Sequence, residues 1–447
     1  MDGGATECSC RTAPRHRIVV LFSVLAFIAS LAATIAWKVS DIDFATKIGS
    51  SRLGGAYVCT ALILLITSSL IVMRLRCCTP QSVFLTVQRY ATATFGLLAL
   101  CEMTFGLSQW AAMIFVFKVI GYAYSSLIIS AYWLALNPLG TQSRVTASEC
   151  TLYTLCTYLG MVAAGIMLKS NTVGAGQLGL TVACCSILCW FVGNIAFGNE
   201  PILFRRSPQH IQQGAHSPPI QTLYRAVMAS RAVFTLVVGS ILLSILVTST
   251  EYYLLSDFEY RYLSLKDVPK GVQSIGSFVT LIGIGNILAL CTSRLWSRFR
   301  IGRTGLLIAA ILAMLMIRFG FAESHSLISS VLALLVVESL YPLVVESNLR
   351  YLLDQFPESE QISARTMVDA IAEPAGLAVS AIILCTSWFD IYTLGVGVVC
   401  MTFLLLLYSW SVDRVWRRAQ VASFRQMITL VSARASAIVA LLHSTAP

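Results

Sequence analysis

The 447-residue chain is 57% hydrophobic and only 12% charged, with a mean hydropathy of +0.78, against about 25% charged residues in ordinary soluble domains. So much apolar surface cannot be hidden in a soluble fold, which excludes a soluble enzyme, a secreted module and a nucleic-acid reader. The apolar stock suffices for about a dozen bilayer spans of roughly 20 residues each, so the net charge of +10 has to be explained within a membrane.

The first 17 residues carry Arg11, Arg15 and Arg17 ahead of an apolar run too long for a signal-peptide core, which reads as an uncleaved first span. Hydropathy then places spans near 18–37, 53–73, 83–105, 110–136, 149–168 and 177–197. After a polar, proline-bearing stretch, six more follow near 232–255, 272–292, 304–321, 326–349, 367–386 and 391–412. The cysteines are scattered, many of them inside apolar runs. Cys8 and Cys10 lack the second pair that a zinc site requires; lipid attachment is a minor alternative for these basic-flanked thiols and for Cys77 and Cys78, and the sequence leaves open whether any is modified.

Placing the N-terminus inside puts most of the 31 Lys and Arg residues on inner loops, among them Arg74, Arg76, Arg205, Arg206, Arg294, Arg298, Arg417 and Arg418. Cytoplasmic loops hold such an excess. The positive balance is therefore expected to be topology, with both termini cytoplasmic, and to need no anionic polymer as partner.

The two sets of six repeat each other. Ser40-Asp41-Ile42-Asp43-Phe44 after span 1 answers Ser256-Asp257-Phe258-Glu259-Tyr260 after span 7, 216 residues later, and Lys118 in span 4 answers Glu338 in span 10 at an offset of 220. Arg144 with Glu149 entering span 5 answers Arg365 with Asp369 entering span 11. The expected fold is an all-α membrane protein of twelve transmembrane helices in two parallel six-helix halves, as in the major facilitator architecture. Residues 1–198 would form the first half, 199–231 a cytoplasmic linker, 232–413 the second half, and 414–447 a basic amphipathic cytoplasmic tail. In such folds substrate sites lie near the midplane between the halves, and rocking alternates access, so a secondary transporter is expected. The sequence has no phosphate-binding loop of the ATPase type.

Charges inside spans are costly and mark candidate sites. They are Arg89 and Glu102 in span 3, Lys118 in span 4, Glu338 and Glu346 in span 10, and Asp369 and Glu373 in span 11. Lys118 is read as an anion contact facing Glu338, or else as half of a permanent salt bridge with it. Arg89 is near enough to the inner end of its span to snorkel. Tyr122 shares a helix face with Lys118, where it either stacks a nucleobase or packs as core. Glu373-Pro374-Ala375-Gly376 and Pro342 are kink candidates. No catalytic residue, metal or cofactor is expected.

The stretch from Asp257 to Gly376 resembles the non-mitochondrial ATP/ADP translocase family, the nucleotide transporters of plastids and obligate intracellular bacteria, and its relatives of unknown substrate. The matching residues are Asp257-Phe258-Glu259-Tyr260-Arg261, Ser293-Arg294, Asn348-Leu349-Arg350-Tyr351 before Pro357, and Arg365-Thr366-Met367-Val368-Asp369 followed by Pro374 and Gly376. In the first half, Tyr132-Trp133 with Asn137 is similar to the family's aromatic-Trp pattern, whereas Ser40 and Gly121 occupy places where the family has charged residues. The resemblance implies nucleotide transport of the ATP/ADP exchange type, with Asp257 and Arg365 in its charge pattern.

The substrate-binding set expected is Lys118, Tyr122, Arg89, Asp257, Arg261, Glu338, Glu346, Arg365 and Asp369, around a small anionic molecule in a monomeric carrier of the plasma membrane. ATP or ADP carries three or four negative charges and needs several convergent cations, so a smaller metabolite is the alternative. A membrane enzyme or a non-transporting scaffold are the readings from other classes. The five histidines, His16, His210, His216, His325 and His443, are too scattered for the first of these.

Overall fold

The structure is a computed structural model that describes residues 15–74, 78–106, 110–141, 147–170, 175–198, 231–260, 268–298 and 358–385. Its helices are α1 (Arg15–Lys47), α2 (Leu53–Arg74), α3 (Pro80–Phe105), α4 (Ala111–Thr141), α5 (Ala147–Lys169), α6 (Ala175–Gly198), α7 (Arg231–Phe258), α8 (Val268–Arg298) and α9 (Glu358–Cys385), with a 3-10 turn at Ser50–Arg52 between α1 and α2. Among the described residues, eight helices are long and apolar enough to cross a membrane. They correspond to spans 1 to 8 of the sequence reading, and α9 covers span 11. The spans expected at 304–321, 326–349 and 391–412, the linker and the tail lie outside the described residues.

One boundary differs from hydropathy in a way that matters. The apolar run ends near residue 37, but α1 continues to Lys47, about 50 Å at 1.5 Å per residue. Lys38, Ser40 and Asp41 lie inside the helix and are buried, so Lys38 is not a loop charge. Hydropathy counts a charge as a penalty regardless of its partners, whereas a helix surrounded by other helices can carry one where a counter-charge meets it.

The first six helices form one packed unit. α1 lies at its centre against α4, α5 and α6, and α3 packs on α4 and α6. Phe22 links the packing through Tyr153 and Phe197, with ring centroids 6.1 and 5.7 Å away. The lipid-facing sides read differently, with exposed Leu62, Leu65, Ile66 and Leu70 on α2 and Leu97, Leu100 and Met103 on α3. α3 begins at a built cap, Thr79 accepting from the Ser82 amide with Pro80 in the first turn, and ends on Gly106 in the left-handed conformation at φ 60°.

The second set meets the first along two seams, α2 against α9 and α5 against α8. Both seams need glycine. A Cβ on Gly54 would lie 2.7 Å from Cys385 Sγ, and one on Gly165 would lie 2.7 Å from the Gly276 carbonyl oxygen. Gly283 on α8 adds a close approach to Val162 of α5. The two seams are copies of one another. Cys385 is 220 residues after Gly165, and Gly276 is 222 after Gly54, close to the 216 and 220 of the sequence repeat. Exchange of α2 with α8 and of α5 with α9 therefore maps one seam onto the other, as a twofold axis between parallel halves requires.

Candidate functional site

Between the halves, at the end of the bundle where α1 finishes and α2 begins, four charged side chains meet. Lys38 and Asp41 stand one turn apart on α1, Lys118 comes from α4 and Glu251 from α7. All four are buried, Lys118 to 0% and Glu251 to 1% exposure. Lys38 Nζ lies 3.0 Å from Glu251 Oε1 and 3.8 Å from Asp41 Oδ2, and Lys118 Nζ pairs with Asp41 Oδ1. Tyr57 of α2 donates its hydroxyl to the other Glu251 oxygen at 3.5 Å. Two ammoniums and two carboxylates leave the cluster formally neutral. Each ion would cost several kcal/mol if left unpaired here, so the pairing is what lets these residues stay buried.

Aromatic rings enclose the cluster. Lys118 Nζ is 5.2 Å from the ring centroids of both Tyr57 and Tyr122, and Lys38 Nζ is 3.6 Å from that of Trp37. Trp37 and Tyr57 meet Tyr122 edge-on at 5.5 and 6.1 Å. Such placement adds attraction between each cation and a ring face. The Trp37 indole nitrogen is buried with no hydrogen-bond partner among the described residues.

Two further polar contacts join the halves above and below. Glu259, just past α7, accepts the Ser50 amide at 2.6 Å. The adjoining Gly49 has φ 97°, and a Cβ there would lie 3.1 Å from the Glu259 carboxylate. Deeper in the bundle, Ser126 of α4 donates to Glu373 of α9 at 2.5 Å. Glu251 and Glu259 are eight residues apart, as are Lys118 and Ser126, so successive layers are separated by about 12 Å along the helices. The described contacts thus shut this end of the interface.

Of the residues expected from sequence, Lys118 and Tyr122 come together in this cluster. Lys118 meets Asp41 within its own half. Its expected partner Glu338 lies outside the described residues, with Glu346 and Arg261. Asp257 is buried in the last turn of α7, six residues beyond Glu251. Arg365 and Asp369 fall on α9, and their side chains are outside the described set. Arg89 is exposed on α3 with its guanidinium carbon 5.4 Å from the Trp190 ring, away from the cluster. Pro374 is buried within α9 without ending it.

Three members of the cluster, Lys38, Asp41 and Glu251, are absent from the sequence-derived set. The first two occupy the i, i+3 spacing of a helical ion pair, and Glu251 follows a run of Thr248, Ser249 and Thr250 inside an apolar span. Those were the available signals.

No protein-family model matches the chain, and no curated protein matches it in sequence. Solved structures do. The nucleoside transporter NupG superposes with a TM-score of 0.57 at 13% identity, covering 89% of this chain and 99% of its own. The human organic anion transporter MFSD10 gives 0.56 at 16%, covering 88% and 100%. The xylose transporter XylE from E. coli gives 0.58 at 13%, covering 88% and 98%. At such identities the shared property is the fold. The chain is an all-α, multi-pass membrane protein with the major facilitator fold, built of two parallel halves, and the three structures it matches here are membrane transporters rather than enzymes.

Proposed function

We propose that the chain is a secondary active transporter that moves a small anionic solute by alternating access, with Lys38 and Lys118 as the groups that engage the solute's negative charge. The observation that carries this reading is the buried ionic cluster at the interface of the halves, where the Lys38–Glu251 pair spans α1 and α7 at 3.0 Å. Asp41 and Glu251 take the place of the solute's charge in the empty carrier. An arriving anion replaces them on the lysines, and loss of the Lys38–Glu251 contact frees the two halves to rock. Lysines left without either partner would cost several kcal/mol each, so the carboxylates keep the empty site affordable.

A nucleotide, carried by exchange of the ATP/ADP type, is the substrate to which the family resemblance points. The faces of Trp37, Tyr57 and Tyr122 and the free indole nitrogen suit a planar heterocycle. A second reading, a smaller anionic metabolite, is favoured by the balance of two lysines against two carboxylates, which leaves little surplus positive charge for a triphosphate. The proposed orientation of both termini toward the cytoplasm rests on the distribution of basic loops, and a monomeric carrier in the plasma membrane is part of the same proposal.

The test is uptake into proteoliposomes of labelled ATP, ADP, other nucleotides and small carboxylic acids, with counterflow to detect exchange. Lys118→Ala should lose most of the uptake of whichever solute is carried while still inserting in the bilayer. Flux no greater than in empty vesicles for every solute would leave a scaffold as the better account. Unchanged uptake by Lys118→Ala would take that lysine out of the site.

A further inference from the structure

At the opposite end of the first half, a groove of about 340 Å³ opens between the first turns of α3 and the last turns of α6. Ser82, Thr86, Arg89 and Asn194 supply its polar wall, and Leu85 and Phe197 its apolar floor. None of the residues lining it is acidic. Arg74, at the end of α2, reaches the same wall by donating to the Thr86 hydroxyl at 3.3 Å. No described carboxylate forms an ion pair with Arg74 or Arg89. Two guanidiniums thus border one groove with no carboxylate of a described residue between them.

The surroundings of the groove identify what kind of anion would reach it. Arg89 and Leu100 are eleven residues apart on α3, about 20° around the helix, and so share a face. That face is exposed, with Leu97 at 61% and Leu100 at 59%, and Phe191 on α6 is 57% exposed. Apolar stripes on the two helices therefore lead along the bilayer surface of the protein toward the arginine. Arg89 is nine residues into α3, about 14 Å from its start, a depth from which a guanidinium snorkels to the headgroup layer. The Trp190 ring lies beside it, 5.4 Å from the Arg89 guanidinium carbon, and adds a cation–π contact.

We propose that this groove binds the headgroup phosphate of an anionic phospholipid, with Arg89 as the main contact, Arg74 and the Ser82 hydroxyl beside it, and the acyl chains lying on the apolar stripes. Basic recesses between spans recognise such headgroups through the same chemistry. The site is separate from the central cluster and does not depend on which solute is carried.

Native mass spectrometry of the full chain in neutral detergent tests this, with phosphatidylglycerol and phosphatidylcholine of identical acyl chains as probes and inorganic phosphate as the competitor. The wild type should retain one phosphatidylglycerol in preference to phosphatidylcholine. Arg89→Gln should weaken that retention about tenfold, the worth of one charge-assisted contact. Ser82→Leu, which fills the mouth without changing charge, should weaken it as well, and Arg52→Gln at the other end of the bundle should not. Equal retention of the two lipids overturns the proposal, as does full retention by Arg89→Gln or by Ser82→Leu. Complete displacement of the lipid by millimolar inorganic phosphate would reassign the groove to a free anion and overturn it too.

Discussion

Replacing Glu251 by glutamine removes one charge from the pair that joins the halves while leaving the shape of the side chain almost unchanged. Of the two ion pairs described above for Lys38, the one that remains is with the Asp41 carboxylate, 3.8 Å away and already engaged by Lys118. Deleting one partner of a buried ion pair costs about 3–5 kcal/mol. Glutamine retains a neutral acceptor, so the lower end applies, roughly 3 kcal/mol, or about a 150-fold change in the ratio of two states. The contact exists only where this end of the bundle is shut, so the loss falls on that state in preference to the one opened there. Spin labels at positions 48 and 260, which flank the closure, should report a longer and broader distance distribution in Glu251→Gln than in the wild type. Adding Lys38→Met, which leaves no lone cation, should recover most of the short-distance population. An unchanged distribution in the single variant, or no recovery in the double, would refute the idea that this pair holds the halves together.

Three other outcomes follow from the same geometry. Gly276→Val forces a side chain into the α5 backbone, an overpacking cost of about 1–3 kcal/mol, and should slow transport while the protein still inserts; wild-type rates would show that the seam yields more easily than its contacts imply. Glu259→Gln weakens a charge-assisted bond to the Ser50 amide and should open the same end by about 1 kcal/mol, read as faster cysteine labelling at position 48, with unaltered labelling as the contrary result. Asp41→Asn should harm uptake more than Asp43→Asn, because Asp41 pairs with buried Lys118 whereas Asp43 meets the half-exposed Lys47 at 3.7 Å; equal effects would count against a distinct central cluster.

Much of the architecture is legible in the amino-acid order. All six spans of the first half, and three of the second, coincide with described helices, because the bilayer requires long apolar runs and every backbone group to bond internally. An offset within a few residues of the one between Asp41 and Asp257 returns in the glycine seams, where the need for close approach fixes residue type at symmetry-related places. The site was legible only in part. Lys118 stands out because a lysine amid apolar residues has no local explanation, but its counter-ion is 77 residues away on α1, beyond the point where hydropathy ends the span. Glu251 finds Lys38 across 213 residues. Pairings of that range are decided by helix packing, which no local pattern records.

Because the thiol of Cys385 lies directly over the glycine backbone of α2, the chain carries its own chemical wedge point. A bulky maleimide attached there would prop the two domains apart, and the related joint at Gly165 would feel the tilt through the shared rotation. Cys385 thus offers a way to block relative motion of the two halves using a residue the chain already has.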